Sequence, residues 1–230
     1  MPLVLLHAFP VDSRMWRAQE SFHAITPDVL GIASIEDAAD HVARLLDQRR
    51  IERAVVGGLS RGGYIALAFV RRHADRLSAL VFCDTNAGVD DEQGKRGRYQ
   101  MAERIKSEGM GFVPEIMLPR LLGETSLRER AELVDEVRGW VLQQDPGAVA
   151  AASIGMAERT DSRPLLKSIK VPVLAIAGQQ DAAHEATRTI AEGVADGHFV
   201  SIPGAGHLSN LEQPERFNSA LREFLEERKL

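Results

Sequence analysis

The chain has 230 residues, 27% of them charged, and a formal net charge of −5 with acidic and basic side chains interspersed. This length suits one α/β domain with an insertion, and the charge argues against nucleic acid or an anionic membrane surface as a partner. The single cysteine, Cys83, excludes an internal disulfide framework and a cysteine-built metal site, and it fits a cytoplasmic protein.

Short apolar runs alternate with helical patterns along most of the chain. Buried strands are predicted at residues 3–6, 54–56, 77–82, 171–177 and 198–202, with an ambiguous short strand at 24–26. Helices are predicted at residues 35–50, 61–75 and 185–194, and from residue 214 onward. The first run is too short to span a membrane and lacks a basic leader. Strands that alternate with helices predict a parallel sheet covered on both faces.

Residues 85–163 interrupt this alternation, because their pattern predicts about four helices and no strand. Residues 126–129, Ser-Leu-Arg-Glu, have the form of a capping box, and Asp145-Pro146 is typical of a helix start. We place the block after the fourth or fifth strand and before the penultimate one, where it would roof a site at the carboxyl edge of the sheet. The predicted division is a core of residues 1–84 and 164–230 with a helical cap of residues 85–163.

A strand, a tight turn and a helix follow one another at residues 54–69. The turn, residues 58–62, reads Gly-Leu-Ser-Arg-Gly and fits the G-x-S-x-G nucleophile elbow, which requires this context. The flanking glycines would allow the close packing of the turn, and Ser60 would be presented at the carboxyl edge of the sheet. The alternative is a glycine-rich β–α turn of any doubly wound protein. A complete catalytic set, in the right order, would favour the elbow.

A serine nucleophile requires an adjacent base, usually a histidine that a carboxylate orients. Each partner must follow a strand at the edge where Ser60 emerges. Of the seven histidines, His207 fits best, since it follows the last strand in a Gly-Ala-Gly-His loop. His184 remains possible, and His7 follows the first strand in a loop with another task. The competing interpretation of His207 is a residue that only caps the last helix.

Two aspartates qualify as the carboxylate. Asp181 follows the strand at 171–177, and Asp84 follows the strand before the helical block, so both lie at the correct edge and in the order Ser, Asp, His. We favour Asp181. The oxyanion hole needs backbone N–H donors, for which we predict the amides of Arg61, next to the nucleophile, and Phe9, in the loop after the first strand.

At this point the sequence resembles the α/β-hydrolase family. The matching segments, which span nearly the whole chain in order, are LLHAFPVDSRMW, VVGGLSRGGYIAL, VPVLAIAGQQD and IPGAGHLSNLEQP. The resemblance implies a triad of Ser60, His207 and Asp181, an oxyanion hole at Phe9 and Arg61, and a helical cap. Within the family the chain is most similar to small capped bacterial carboxylesterases and 3-oxoadipate enol-lactonase-like hydrolases.

Two departures from the family pattern stand out. Ala8 follows His7 where the family usually has glycine, and two strands that usually precede this loop are missing. The predicted fold class is therefore α/β, with a mostly parallel α/β-hydrolase sheet that lacks the usual first two strands. An open sheet edge is a potential pairing surface, so we expect a monomer or a homodimer.

The function predicted from these residues is hydrolysis of a small carboxylic ester or lactone through an acyl-enzyme on Ser60, with no metal or organic cofactor. In relatives the same triad supports C–C bond hydrolysis or perhydrolysis, which the sequence does not separate. A non-catalytic ligand-binding module that retains the triad is the third hypothesis. Apolar residues that line either a pocket or the core of the cap are Met101, Ile105, Phe112, Ile116, Met117 and Trp140.

Overall fold

The computed structural model describes all 230 residues. Five strands form one parallel sheet in the order β1-β2-β3-β4-β5. They are β1 (Leu3–Leu6), β2 (Ala54–Leu59), β3 (Leu77–Cys83), β4 (Val173–Gly178) and β5 (Gly197–Ile202). The predicted fold class is confirmed.

Ten α-helices flank or interrupt this sheet, and none is both long and apolar enough to cross a bilayer. They are α1 (Ile35–Gln48), α2 (Arg61–His73), α3 (Glu92–Glu108), α4 (Val113–Leu121), α5 (Glu124–Glu129), α6 (Ala131–Leu142), α7 (Pro146–Ala157), α8 (His184–Glu192), α9 (Ser209–Glu212) and α10 (Pro214–Glu227). Short 3₁₀ segments occupy Ser13–Phe22, Ala74–Arg76 and Arg163–Ser168. As the sequence predicted, Asp145 caps α7 by accepting the amide hydrogen of Ala148 at 2.7 Å.

The strands end in register. Leu59 lies opposite Cys83, and Gly178 lies opposite Ile202. Because all pairs are parallel, the loops that follow the strands emerge together at one edge of the sheet. This edge collects the candidate catalytic residues.

The outer edge of β1 is paired at a single residue. The amide of Ile25 donates to the carbonyl of Leu3 at 2.8 Å, and the amide of Leu5 donates to the carbonyl of Ile25 at 2.9 Å. Alternate residues direct their N–H groups toward β1, so the next donor after Ile25 would be residue 27. The pairing ends there because this residue is Pro27, which has no N–H. The ambiguous strand at 24–26 is thus an isolated bridge. The helical block follows the third strand, and its predicted place after the fourth or fifth was wrong.

Five helices, not four, lie between β3 and β4; we call residues 85–163 the helical insertion. Arg130, with φ −126° and ψ 61°, separates α5 from α6. The predicted capping box at 126–129 is wrong, since α5 begins at Glu124 and Ser126 is buried within it. The hydrophobic core nevertheless runs through sheet and insertion as one cluster of 65 buried residues.

Candidate active site

Ser60 lies in the turn between β2 and α2 with φ 55° and ψ −112°, a conformation that is rare for a residue with a side chain. The turn is tight on both sides. A Cβ at Gly58 would lie 2.1 Å from the carbonyl carbon of Gly62, and a Cβ at Gly62 would lie 2.1 Å from the carbonyl oxygen of Leu6. The turn follows a strand, holds its serine in a strained conformation and is closed by two glycines. This is the geometry of a nucleophile elbow.

His207 and Asp181 form a pair at the same edge. The distance from His207 Nδ1 to Asp181 Oδ2 is 3.0 Å, and the two side chains are 15% and 4% exposed. Burial alone raises the pKa of Asp181, but the charge and hydrogen bond of His207 outweigh it, and the pKa of Asp181 lies below its usual value. The hydroxyl of Ser60, at the same edge of the sheet, makes no hydrogen bond within the protein, whereas the acid and the base are bonded to each other. Catalytic hydrogen bonds often close only when a substrate is bound.

Asp84, the other candidate acid, is fully buried and forms no hydrogen bond with a histidine. Its Oδ1 accepts the amide hydrogen of Gly178 at 2.7 Å, and its Oδ2 accepts the hydroxyl of Ser209. Burial and the neighbouring charge of Asp181 raise the pKa of Asp84 well above its usual value. Of the two aspartates, the one favoured from the sequence, Asp181, is the one that forms a hydrogen bond with His207.

The two amides predicted for the oxyanion hole are free of other bonds. Neither the N–H of Phe9 nor that of Arg61 donates to another group of the protein. The preceding amide, of Ala8, is occupied by the sulfur of Met15 at 3.1 Å. Unpaired N–H groups held in place by a rigid backbone are what a developing oxyanion requires.

The other two histidines considered from the sequence are engaged elsewhere. His184 Nε2 lies 2.8 Å from the hydroxyl of Ser201, and its Nδ1 lies 2.8 Å from Glu185 Oε1. His7 is fully buried, and its Nε2 accepts the amide hydrogen of Val29 at 2.9 Å. His207 is thus the histidine that the structure places with a candidate acid.

The side chain of Arg61 has a role that sequence reasoning missed. Its guanidinium is fully buried and donates to the carbonyls of Val29, at 3.1 Å, and Ile32. Burial lowers the pKa of Arg61 to about 10, although the charge of Asp28 acts in the opposite direction. Arg61 and His7 together hold the segment at residues 28–32 behind the oxyanion loop, which no local pattern reveals.

A cavity of about 740 Å³ between α3 and α4 adjoins the oxyanion loop at Phe9. Four of the six apolar residues singled out from the sequence line it: Met101, Phe112, Ile116 and Met117. Ile105 is buried in the core, and Trp140 lines a separate cavity beside Trp16. Three arginines, Arg98, Arg104 and Arg120, and two aspartates, Asp90 and Asp91, also line the walls, with Arg98 paired to Asp90.

Residues 3–220 match the model of the alpha/beta hydrolase family. The chain belongs to this family. Among curated relatives of this hydrolase, 3-oxoadipate enol-lactonase 2 of Acinetobacter baylyi is 26% identical over 242 residues, which cover 95% of this chain and 86% of that protein. The resemblance drawn from the sequence motifs is confirmed.

Solved structures agree with this assignment. A thermophilic esterase from Thermogutta terrifontis, determined with malate bound, is 40% identical, with a TM-score of 0.96 over 99% of this chain and 90% of that one. The enol-lactonase from Burkholderia xenovorans is 27% identical, with a TM-score of 0.86 over 97% of this chain and 91% of that one. This α/β hydrolase is therefore similar to both esterases and lactonases.

Proposed function

We propose that this α/β hydrolase cleaves a small carboxylic ester or lactone through an acyl-enzyme on Ser60. The observation that carries the proposal is the convergence of three features at one sheet edge. They are the strained Ser60, the His207–Asp181 pair at 3.0 Å, and the unpaired amides of Phe9 and Arg61. Each supplies one part of acyl transfer.

The proposed reaction proceeds in two halves. The oxygen of Ser60 attacks the substrate carbonyl while His207 accepts its proton, and Asp181 stabilises the imidazolium. The amides of Phe9 and Arg61 bind the oxyanion of the tetrahedral intermediate. As the intermediate collapses, the C–O bond to the alcohol breaks, and His207 gives the leaving oxygen its proton. Water, deprotonated by His207, then attacks the acyl carbon; the bond from that carbon to Ser60 Oγ breaks, His207 returns the proton to Ser60, and the acid is released.

The substrate class is supported by the relatives and by the cavity. An esterase and two enol-lactonases are among the proteins that this chain resembles over most of its length. A volume of about 740 Å³ beside Phe9 falls in the range of small-ligand pockets, and its walls combine an apolar patch of five residues with polar and charged ones.

Labelling with a fluorophosphonate probe tests the nucleophile directly, because the probe reacts with an activated serine and not with an ordinary one. We expect mass spectrometry to find the label on Ser60, to find none in Ser60→Ala, and to find full labelling in the matched control Ser107→Ala, whose serine is exposed on α3. On an ester and lactone panel, Ser60→Ala should lose at least about 10⁴-fold in kcat.

Two results would contradict the proposal. A folded protein that binds ligands saturably but takes no label at Ser60 would be a binding module. Alternatively, Ser60 takes the label, no ester or lactone is turned over, and the protein cleaves C–C bonds or forms peracids. Ser60 would then remain the nucleophile, but the proposed substrate class would be wrong.

A further inference from the structure

Glu212, the last residue of α9, has a buried carboxylate that forms no ion pair. Its side chain is deep in the molecule, with the residue only 2% exposed. One oxygen accepts the amide hydrogen of Gly206 at 2.9 Å, and the other accepts the amide hydrogen of Gly123 at 2.8 Å. Gly206 precedes His207, whereas Gly123 joins α4 to α5 in the helical insertion. One carboxylate therefore bonds the histidine loop (residues 203–208) to the insertion.

The backbones on either side of this bond are in direct contact. A Cβ on Gly206 would lie 2.2 Å from the nitrogen of Gly123, and a Cβ on Gly178 would lie 2.0 Å from the oxygen of Gly206. The amide of Leu208 also donates to the carbonyl of Leu121 at 2.9 Å. The histidine loop is thus held between the end of β4 and the turn that closes α4.

The same part of the insertion reaches the loop of the acid. Gln180, next to Asp181, accepts the amide hydrogen of Thr125 at 3.2 Å and donates to its hydroxyl at 2.8 Å. Arg130 donates to the carbonyls of Leu211 at 3.1 Å and Glu212 at 2.7 Å. Residues 121–130 therefore contact both loops that carry the His207–Asp181 pair.

The charged groups around Glu212 come from three directions. The imidazole of His207 faces it from the histidine loop, Arg130 from the insertion, and Asp181 lies beyond His207. Burial raises the pKa of Glu212, while the hydroxyl of Ser126, the two amides and His207 act in the opposite direction. Each of the two amide N–H groups needs an acceptor. An ionised carboxylate offers one on each of its oxygens and carries no N–H or O–H group that would face these donors.

We propose that Glu212 is a positioning residue for the reaction: by bonding the histidine loop to the insertion, it fixes the imidazole of His207 relative to Ser60. The inference rests on the function proposed above. It assigns a task to a buried acid that does not touch the reacting atoms. A displacement of about 1 Å in a catalytic group costs on the order of 10²-fold in rate, so a modest shift of this loop is sufficient to be measured.

Glu212→Gln tests the proposal, with Glu215→Gln as the matched control. Glutamine keeps the shape but turns an NH₂ group toward one of the two amide donors, whereas Glu215 is exposed in the first turn of α10. For Glu212→Gln we expect kcat to fall about 10- to 100-fold with little change in KM. The acid limb of the pH–rate profile should move to lower pH, because a negative charge that favours the imidazolium is lost. Glu215→Gln should match the parent.

A second readout does not depend on turnover. The proton on His207 Nδ1, shared with Asp181, should give a low-field NMR resonance, which we expect to move or broaden in Glu212→Gln and to stay in Glu215→Gln. Unchanged kcat, pH limb and resonance in Glu212→Gln would overturn the proposal. Should that variant fail to fold, the milder Ser126→Ala decides by the same resonance. If the parent protein takes no fluorophosphonate label, the proposed function fails. The role of Glu212 is still tested, because the resonance reports the position of His207 without any turnover.

Discussion

At the scale of single residues, two buried aspartates at the sheet edge differ in their tendency to ionise. Asp181 shares a hydrogen bond with His207, and its pKa lies below its usual value. The carboxyl of Asp84 faces a backbone amide, a hydroxyl and the charge of Asp181, and its pKa lies well above its usual value. Environments that separate two carboxyl groups in this way give them separate roles. We assign the charge-stabilising role to Asp181.

The two asparagine variants should therefore behave differently. We expect Asp181→Asn to lower kcat about 10³- to 10⁴-fold, because the amide no longer stabilises the imidazolium or selects its tautomer. Asp84→Asn keeps the shape of the side chain, and the Ser209 hydroxyl can turn to accept from the new NH₂ group while the amide of Gly178 keeps its acceptor. Since Asp84 is not bonded to His207, we expect kcat to stay within a few-fold of the parent. Steady-state kinetics on the best ester of the panel measures both. Reversed effects would move the acid to Asp84.

The sequence predicts some of these residues and not others, for a physical reason. Ser60, His207 and Asp181 follow strands, and parallel strands bring their ends to one edge, so order along the chain is sufficient to place them together. Glu212 and Arg61 act through partners whose location depends on packing. Glu212 bonds to Gly123, 89 positions away, and Arg61 reaches across 29 positions to Ile32.

At the scale of elements, the strands and the helices of the core follow their apolar periodicity, whereas the helical insertion departs from its local signals. Ser126 illustrates this, because its capping-box pattern is overridden by burial against Glu212. The insertion is fastened at its other end by Asp90, which bonds Arg98 of α3 and Arg159 after α7, the latter at 2.8 Å. Arg159 is 3% exposed and lies over the ring of Tyr64 in α2.

Loss of the Asp90 carboxylate should destabilise the fold in a pH-dependent way. Burial raises the pKa of Asp90, but hydrogen bonds from Arg159 and Arg98 outweigh it and hold that pKa well below its usual value. Because its pKa is lower in the folded state, Asp90 contributes to the free energy of unfolding at neutral pH. This contribution is lost progressively as the pH falls below about 4, the pKa of an aspartate in the unfolded chain. Asp90→Asn leaves a buried guanidinium without its counterion, at a cost of about 3 kcal/mol in the free energy of unfolding at pH 7.

Urea unfolding at pH 7 and at successively lower pH measures this effect. The difference between Asp90→Asn and the parent should shrink on acidification. Glu92→Gln, an exposed change in the first turn of α3, should stay within about 0.5 kcal/mol of the parent throughout. A difference that is constant with pH would mean that the loss is one of packing and not of charge.

At the scale of the whole molecule, the division into a core and a helical cap stays a prediction, and one continuous cluster of 65 buried residues crosses it. The two tryptophans report on the two parts. Trp16 packs against Phe217 beside the sheet, with ring centroids 6.2 Å apart, and Trp140 lies in α6 of the insertion. A shared core favours a single cooperative transition.

We expect Trp16→Phe and Trp140→Phe, each with one remaining tryptophan, to report coincident fluorescence transitions in urea. After correction for any difference in stability between the two variants, the midpoints and slopes should agree. An earlier transition reported by Trp140 would mean that the insertion unfolds on its own and that the shared cluster does not couple the two parts.

The contact between Gly123 and Gly206 bears on how such enzymes are recombined. Two backbones that touch without side chains between them leave no tolerance for a changed loop on one side only. Consider a chimaera that takes residues 85–163 from a relative and keeps the histidine loop of this chain. Its two contacting surfaces come from different proteins and are not complementary in shape. Under the proposed function, the walls of the cavity and the position of His207 are therefore inherited together. The practical unit of exchange is the insertion together with residues 203–212.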